Sequence, residues 1–144
     1  MAAYASIWFL AFIGASLVFV PAAALAAVCV AVITGDLNPL AVGVVAGSAE
    51  ALGELTGYAA GRGGKEIFKR NRFYLRFKDF FSRYAGLTLF FGSIIPNPLF
   101  DVMGVAAGSI LYPVRKFLLL VFIGKTIKFT WIAFSCYWGL ITFT

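Results

Sequence analysis

The chain has 144 residues, 62% of them hydrophobic and 12% charged, with 12 Lys and Arg against 6 Asp and Glu and a net charge of +6. A soluble domain carries about 25% charged residues, so this composition, with a mean hydropathy of +0.94, excludes that class and indicates a protein that lives in lipid. Histidine is absent, which removes the usual proton shuttle and the commonest metal ligand, and with them histidine-dependent hydrolase, phosphatase and metal chemistry.

Residues 1–35 carry no charge, and a membrane span needs only about 20 such residues. Within the first apolar block, residues 4–33, Ala22, Ala23, Ala24, Ala26 and Ala27 follow an apolar run as they would in a secretory signal. No Lys or Arg precedes that run and it continues to Ile33, so the segment is expected to be retained. Pro21 interrupts the block. Cys29 and Cys136 each lie singly in apolar surroundings, with no neighbouring Cys to form a metal or redox pair. Both read as small packing residues, and neither a metal nor a cofactor is expected.

The second block, residues 39–61, has Gly43 and Gly47, then Gly53, Gly57 and Gly61, at four-residue intervals. Such faces let another helix approach closely. Glu50 and Glu54 form an i, i+4 pair on one side of the same helix. Counted back from Arg62 at ~1.5 Å per residue, they lie about 18 and 12 Å into the membrane.

Residues 62–83 form the long polar interval, with Arg62, Lys65, Lys69, Arg70, Arg72, Arg76, Lys78 and Arg83 against Glu66 and Asp79. Interleaved aromatics make it read as a basic amphipathic helix in the membrane interface, and the positive-inside rule places it in the cytoplasm. The aromatics and the apolar flanks favour anionic lipid headgroups over nucleic acid as its partner.

In the third block, residues 86–111, the string Ser93-Ile94-Ile95-Pro96-Asn97-Pro98-Leu99-Phe100-Asp101 puts two prolines, an Asn and a carboxylate into an apolar run. Helix interiors tolerate neither prolines nor lone charges, and in hydrocarbon each freed backbone group must be satisfied by protein or water. The break therefore predicts a cavity or pathway. Arg115 and Lys116 follow at once, and a full crossing would put them opposite the basic helix, against the charge rule. A re-entrant hairpin keeps both on one side. In the fourth block, residues 117–142, Lys125 and Lys128 are an i, i+3 pair roughly 14 to 18 Å beyond Lys116. Five ionisable groups at membrane depth, Glu50, Glu54, Asp101, Lys125 and Lys128, are expected to pair or to line water, since each facing lipid would cost about 2.5 to 3.5 kcal/mol.

The blocks also suggest an internal repeat. Pro21 precedes Pro39 by 18 positions and Pro96 precedes Pro113 by 17, each second proline opening a block long enough to span. The predicted fold is an all-α integral membrane protein of one domain, residues 1–144. It is an inverted repeat of re-entrant hairpin plus transmembrane helix, about 4–61 and 84–142, joined by the basic amphipathic linker 62–83.

The segment Gly53-Glu54-Leu55-Thr56-Gly57-Tyr58-Ala59-Ala60-Gly61-Arg62, then a basic stretch, then Phe91-Gly92-Ser93-Ile94-Ile95-Pro96-Asn97-Pro98-Leu99-Phe100-Asp101 with Gly104 and Gly108, closely resembles the VTT domain of the DedA / SNARE-associated Golgi protein family. The Pro-Asn-Pro-Leu-Phe-Asp string is most similar to the vacuole membrane protein branch, and the likeness runs over about residues 21–131. The resemblance implies opposed re-entrant hairpins, each followed by a transmembrane helix, and movement of lipids across the bilayer. Glu54 stands where the family usually has the Asp of Gly-Asp-xxx-Tyr-xxx-Gly-Arg. The bacterial branch generally carries arginines around the second proline motif, and residues 92–101 have none.

The leading expectation is a lipid scramblase or flippase of a bacterial-type cell membrane. Glu50, Glu54, Pro96, Asn97, Pro98, Asp101, Lys125 and Lys128 would line its furrow, with carboxylates attracting amine headgroups and lysines attracting phosphates. Gly43, Gly47, Gly53, Gly57, Gly61, Gly104 and Gly108 would pack helices, in a monomer or a homo-oligomer. A proton- or ion-coupled carrier of a small solute would use the same carboxylates, and a purely structural protein would merely pair its charges. An enzyme is not expected, since no nucleophile sits beside a recognisable base.

Overall fold

The structure, a computed structural model, describes residues 1–16, 21–35, 37–96 and 100–143. Among these it is helical, with no strand: α1 (Ala2–Ser16), α2 (Pro21–Gly35), α3 (Pro39–Gly63), α4 (Lys65–Phe68), α5 (Arg72–Ile94), α6 (Phe100–Ser109) and α7 (Val114–Phe143).

Prolines and caps set most of these boundaries. Pro21 is the first residue of α2 and Pro39 of α3, the position where proline's missing N–H costs nothing. Asn38 caps α3, its side chain accepting from the backbone N–H of Leu40 at 2.9 Å and of Ala41 at 3.4 Å. α5 stops at Ile94, just before the extended Ile95 and then Pro96, as the residue preceding a proline is pushed out of the helical region. α6 ends in a paired closure, with the Tyr112 N–H bonded to the Ala107 carbonyl and the Leu111 N–H to that of Gly108. Leu111 takes φ 58° there, a left-handed conformation that non-glycine residues adopt at a cost.

Packing is reciprocal around the two long helices. α1 lies on α3 and α2 reaches α7, while α5 lies on α7 and α6 reaches α3. Gly86 on α5 sits near Tyr112, and Gly92 against Met103 and Phe100, so α6 folds back along the second half of α5. Two apolar cores result. One joins α1 and α2 to the first half of α3 and the second half of α7, around Val28, Val42, Ala46 and Phe129. The other joins α5 and α6 to the remaining halves, around Phe81, Leu89, Ala107 and Phe117.

Among the described residues one helix, Val114–Gly139 within α7, is long and apolar enough to cross a membrane, and 39% of its apolar stretch is buried inside the protein. Less than half of that stretch is buried, whereas the core helix of a soluble domain is mostly buried.

Two expectations are corrected. Residues 62–83 are not one amphipathic helix: Arg62 still belongs to α3, α4 is a separate turn, and α5 begins only at Arg72. The end expected at Arg83 does mark a break, for Tyr84, with φ −120° and ψ 17°, is non-helical and kinks α5 into two helical segments. Cys29 and Cys136 are not independent packing residues but form a disulfide, with Cα atoms 5.5 Å apart across 107 positions of sequence. Cys136 lies 22 residues into α7, about 33 Å from its start, at the end remote from the basic segment.

Candidate functional site

Glu50 and Glu54 of α3 and Lys125 and Lys128 of α7 meet as one row. Spacing of i, i+4 turns Glu50 and Glu54 to one side of α3, and i, i+3 does the same for Lys125 and Lys128 on α7. The Lys125 ammonium lies 3.0 Å from Glu54 Oε1 and 3.1 Å from Glu50 Oε2, and Lys128 lies 2.5 Å from Glu50 Oε2. The row runs Glu54, Lys125, Glu50, Lys128, and all four residues are at most 5% exposed. Two aromatic faces complete it: Lys125 Nζ stands 4.3 Å from the centre of the Phe100 ring and Lys128 Nζ 4.3 Å from that of Phe129. The row sits where the two apolar cores meet, between Ala49 and Tyr58 on one helix and between Val121 and Phe129 on the other.

Close helix approach makes the row possible. A Cβ at Gly43 or Gly47 would overlap Thr130 or Thr126 of α7, and one at Gly61 or Gly108 would overlap the backbone of Val105 or of Tyr58. The glycine face of α3 is thus divided, its first half seating α7 and its second half α6. Gly104 looks onto Glu54 and Gly57 onto the Asp101 carbonyl, while Gly53 is buried in α3. The Oγ1 atoms of Thr126 and Thr130 are buried without a conventional partner and stand where the Gly47 and Gly43 side chains would be, as in a Cα–H···O contact.

Asp101 lies in the first turn of α6, half-buried and next to the cation-bearing Phe100. Among the described residues it joins none of the ion pairs that hold the row. Of the three carboxylic residues Glu50, Glu54 and Asp101, Asp101 is the one that is not buried. Pro96 is exposed just beyond α5. Asn97 and Pro98 lie outside the described residues.

Of the basic residues in 62–83, Lys65 and Lys78 are half-buried and Arg62, Lys69, Arg70, Arg72, Arg76 and Arg83 are exposed. Lys69 pairs with Glu66 at 3.0 Å, and this hydrogen bond holds the Glu66 carboxyl below the usual range. The surrounding apolar side chains are equally open, with Phe73 79% and Ile67 78% exposed, the composition of an interfacial surface.

Sequence reasoning missed three contacts. The Tyr58 hydroxyl donates to the Tyr112 carbonyl at 2.5 Å, tying α3 to the α6–α7 turn. Gly124 admits Ser93 of α5 against α7. Phe100 supplies the ring beneath Lys125. Tyr58 could have been found from its place between Gly57 and Gly61, since a polar aromatic on a glycine face needs a partner when buried; the other two carry no local signal. Among the described residues, no group of three or more His, Cys, Asp or Glu is placed to hold a metal ion.

The family model of the VTT domain matches residues 20–139, a range that takes in the whole charged row, the glycine faces and both cysteines. No curated protein and no solved structure matches the chain.

Proposed function

The chain belongs to the VTT domain family, a family of membrane proteins, and we propose that it moves lipids across the bilayer as a scramblase or flippase, without covalent chemistry. In this reading α3 and α7 span the membrane, and the helix pairs α1–α2 and α5–α6 are re-entrant hairpins that enter from opposite faces. The reciprocal packing of the two pairs on the two long helices supports that inverted repeat.

The observation that carries the proposal is the neutral, buried row Glu54, Lys125, Glu50, Lys128 with the half-buried Asp101 beside it. A static bundle has no use for a surplus carboxylate at membrane depth, which is costly unless it meets a cation, a proton or water. Asp101 is the entry group for an amine-bearing headgroup, and movement of α6 away from α3 exposes the row, where lysines receive the phosphate and glutamates the amine. Acyl chains stay in lipid throughout.

The basic segment 62–83 lies on the cytoplasmic side of a bacterial-type cell membrane in this reading, with anionic headgroups as its partners. The disulfide supports that orientation, because it lies at the other end of α7 and disulfides persist in oxidising compartments.

The test is reconstitution in liposomes with fluorescent lipids, with and without an imposed pH gradient. Lipid movement lost in Asp101→Asn at unchanged thermal stability is the expected result. Wild-type movement in that variant removes Asp101 from the pathway. The same carboxylate excess favours a second reading, a proton-coupled carrier of a small solute. Solute uptake that needs the gradient, with no lipid movement, selects it.

A further inference from the structure

Beside the membrane surface, the first turns of α5 and the length of α6 enclose a cavity of about 220 Å³ that the transport reading does not use. Phe73, Tyr74 and Phe77 line it from α5, and Val102, Val105 and Ser109 from α6. The Tyr74 and Ser109 hydroxyls, its polar groups from these helices, bond each other at 2.6 Å, so they offer little to a polar ligand. Its mouth is apolar as well, with Phe73 79% and Val102 59% exposed. The space exceeds the roughly 150 Å³ of an apolar cavity that accepts benzene.

The charge on the α5 side of this groove is basic, while on the α6 side Asp101 precedes the lining residue Val102. Arg70 and Arg72 flank Asn71, which lines the groove, and Arg76 precedes Phe77. All three are exposed, and among the described residues none of the ion pairs uses them. The carboxylates of the segment are Asp79 and the Glu66 already paired with Lys69. An apolar slot beside uncommitted guanidinium groups suits a ligand with a hydrocarbon tail and an oxyanion head, since Arg grips phosphate bidentately.

We propose that this groove binds one acyl chain of an anionic phospholipid from the leaflet on which the basic segment lies, with the phosphate held by Arg70, Arg72 and Arg76. The inference rests on the membrane placement given above and not on transport. A groove left empty while lipid still moves overturns the groove alone, and a labelled groove in a protein that moves nothing overturns transport alone.

The test uses the full chain in phosphatidylcholine nanodiscs containing a trace of phosphatidylglycerol with a diazirine in its acyl chain, and adducts are mapped by mass spectrometry after illumination. Adducts concentrated on Phe73, Phe77, Val102 and Val105, and competed away by unlabelled phosphatidylglycerol, are expected. Arg70→Gln, Arg72→Gln and Arg76→Gln together should lower this labelling by up to about a hundredfold, and the exposed Val102→Trp should block it. Equal labelling by a diazirine phosphatidylcholine overturns the charge argument in the wild-type protein, with no variant needed. Labelling spread evenly along the outer face of α7 overturns the groove. So does a concentration-dependent dimer that Val102→Trp dissolves, which assigns the surface to a second copy of the chain.

Discussion

Lys125 donates to Glu54 at 3.0 Å across 71 positions of sequence, and Lys125 is the one cation of the row that touches both glutamates. Lys125→Met therefore leaves Glu54 with no counterion and Glu50 with Lys128 alone. A loss of about 3 to 5 kcal/mol is expected, read by thermal unfolding in detergent. Glu54→Gln should cost less, because Lys125 keeps Glu50, and Glu54→Gln with Lys125→Met should recover part of the loss. Purely additive losses would mean that the pair is not coupled.

The glycine crossing gives a sharper packing test. Gly108→Ala places a methyl into the Tyr58 backbone, where no side chain can swing aside. A loss of about 1 to 3 kcal/mol is expected, as for other overpacked sites. Gly139 of α7 has nothing within contact distance of its missing Cβ, so Gly139→Ala should be neutral or stabilising by up to about 1 kcal/mol. Equal responses at the two positions would count against the close approach of α6 to α3.

Leu111 holds a left-handed conformation with φ 58° and is half exposed. Leu111→Gly removes the steric cost of that conformation, about 1 kcal/mol or somewhat more, and gives up the contacts of the covered half of the side chain. Its melting temperature should rise. A fall would mean that the leucine side chain contributes more to the α6–α7 turn than its backbone costs.

Because Cys29 and Cys136 occupy each other, both should resist alkylation in the denatured chain until reductant is added. Alkylation without reductant would exclude the disulfide. The same pairing permits single cysteines at Arg83 and Arg115 in the otherwise native chain. With an impermeant reagent both should label from one side of the membrane. Labelling from opposite sides would end the re-entrant reading of α5 and α6.

Much of this protein was legible in its sequence. The membrane class, the helical fold, the starts of α2 and α3 at Pro21 and Pro39, the break before Pro96 and the sharing of one helix side by Glu50 with Glu54 and by Lys125 with Lys128 all follow from composition, from the fixed φ of proline and from helical periodicity. These are properties of the chain within a few residues of each position, so no distant partner is needed to predict them.

What only the tertiary structure decided is which face meets which. The glycine ladder of α3 reads as one surface, yet Gly43 and Gly47 seat α7 while Gly57 and Gly61 seat α6. Cys29 and Cys136 look solitary until α2 reaches α7. The basic segment is itself interrupted between α3 and α4 and again between Phe68 and Arg72, which composition does not reveal, whereas the kink at Tyr84 falls where the side chains turn from basic to apolar. Asp101 resembles the other membrane carboxylates in sequence, and only the crossing of α3 and α7 satisfies Glu50 and Glu54 and leaves Asp101 outside the ion pairs. The reason is physical: periodicity sets the direction of a side chain around its own axis, but helices apolar on nearly every side have no amphipathic stripe to fix their mutual rotation. In such chains that rotation is set by close packing at small residues and by a few polar contacts between elements far apart in sequence.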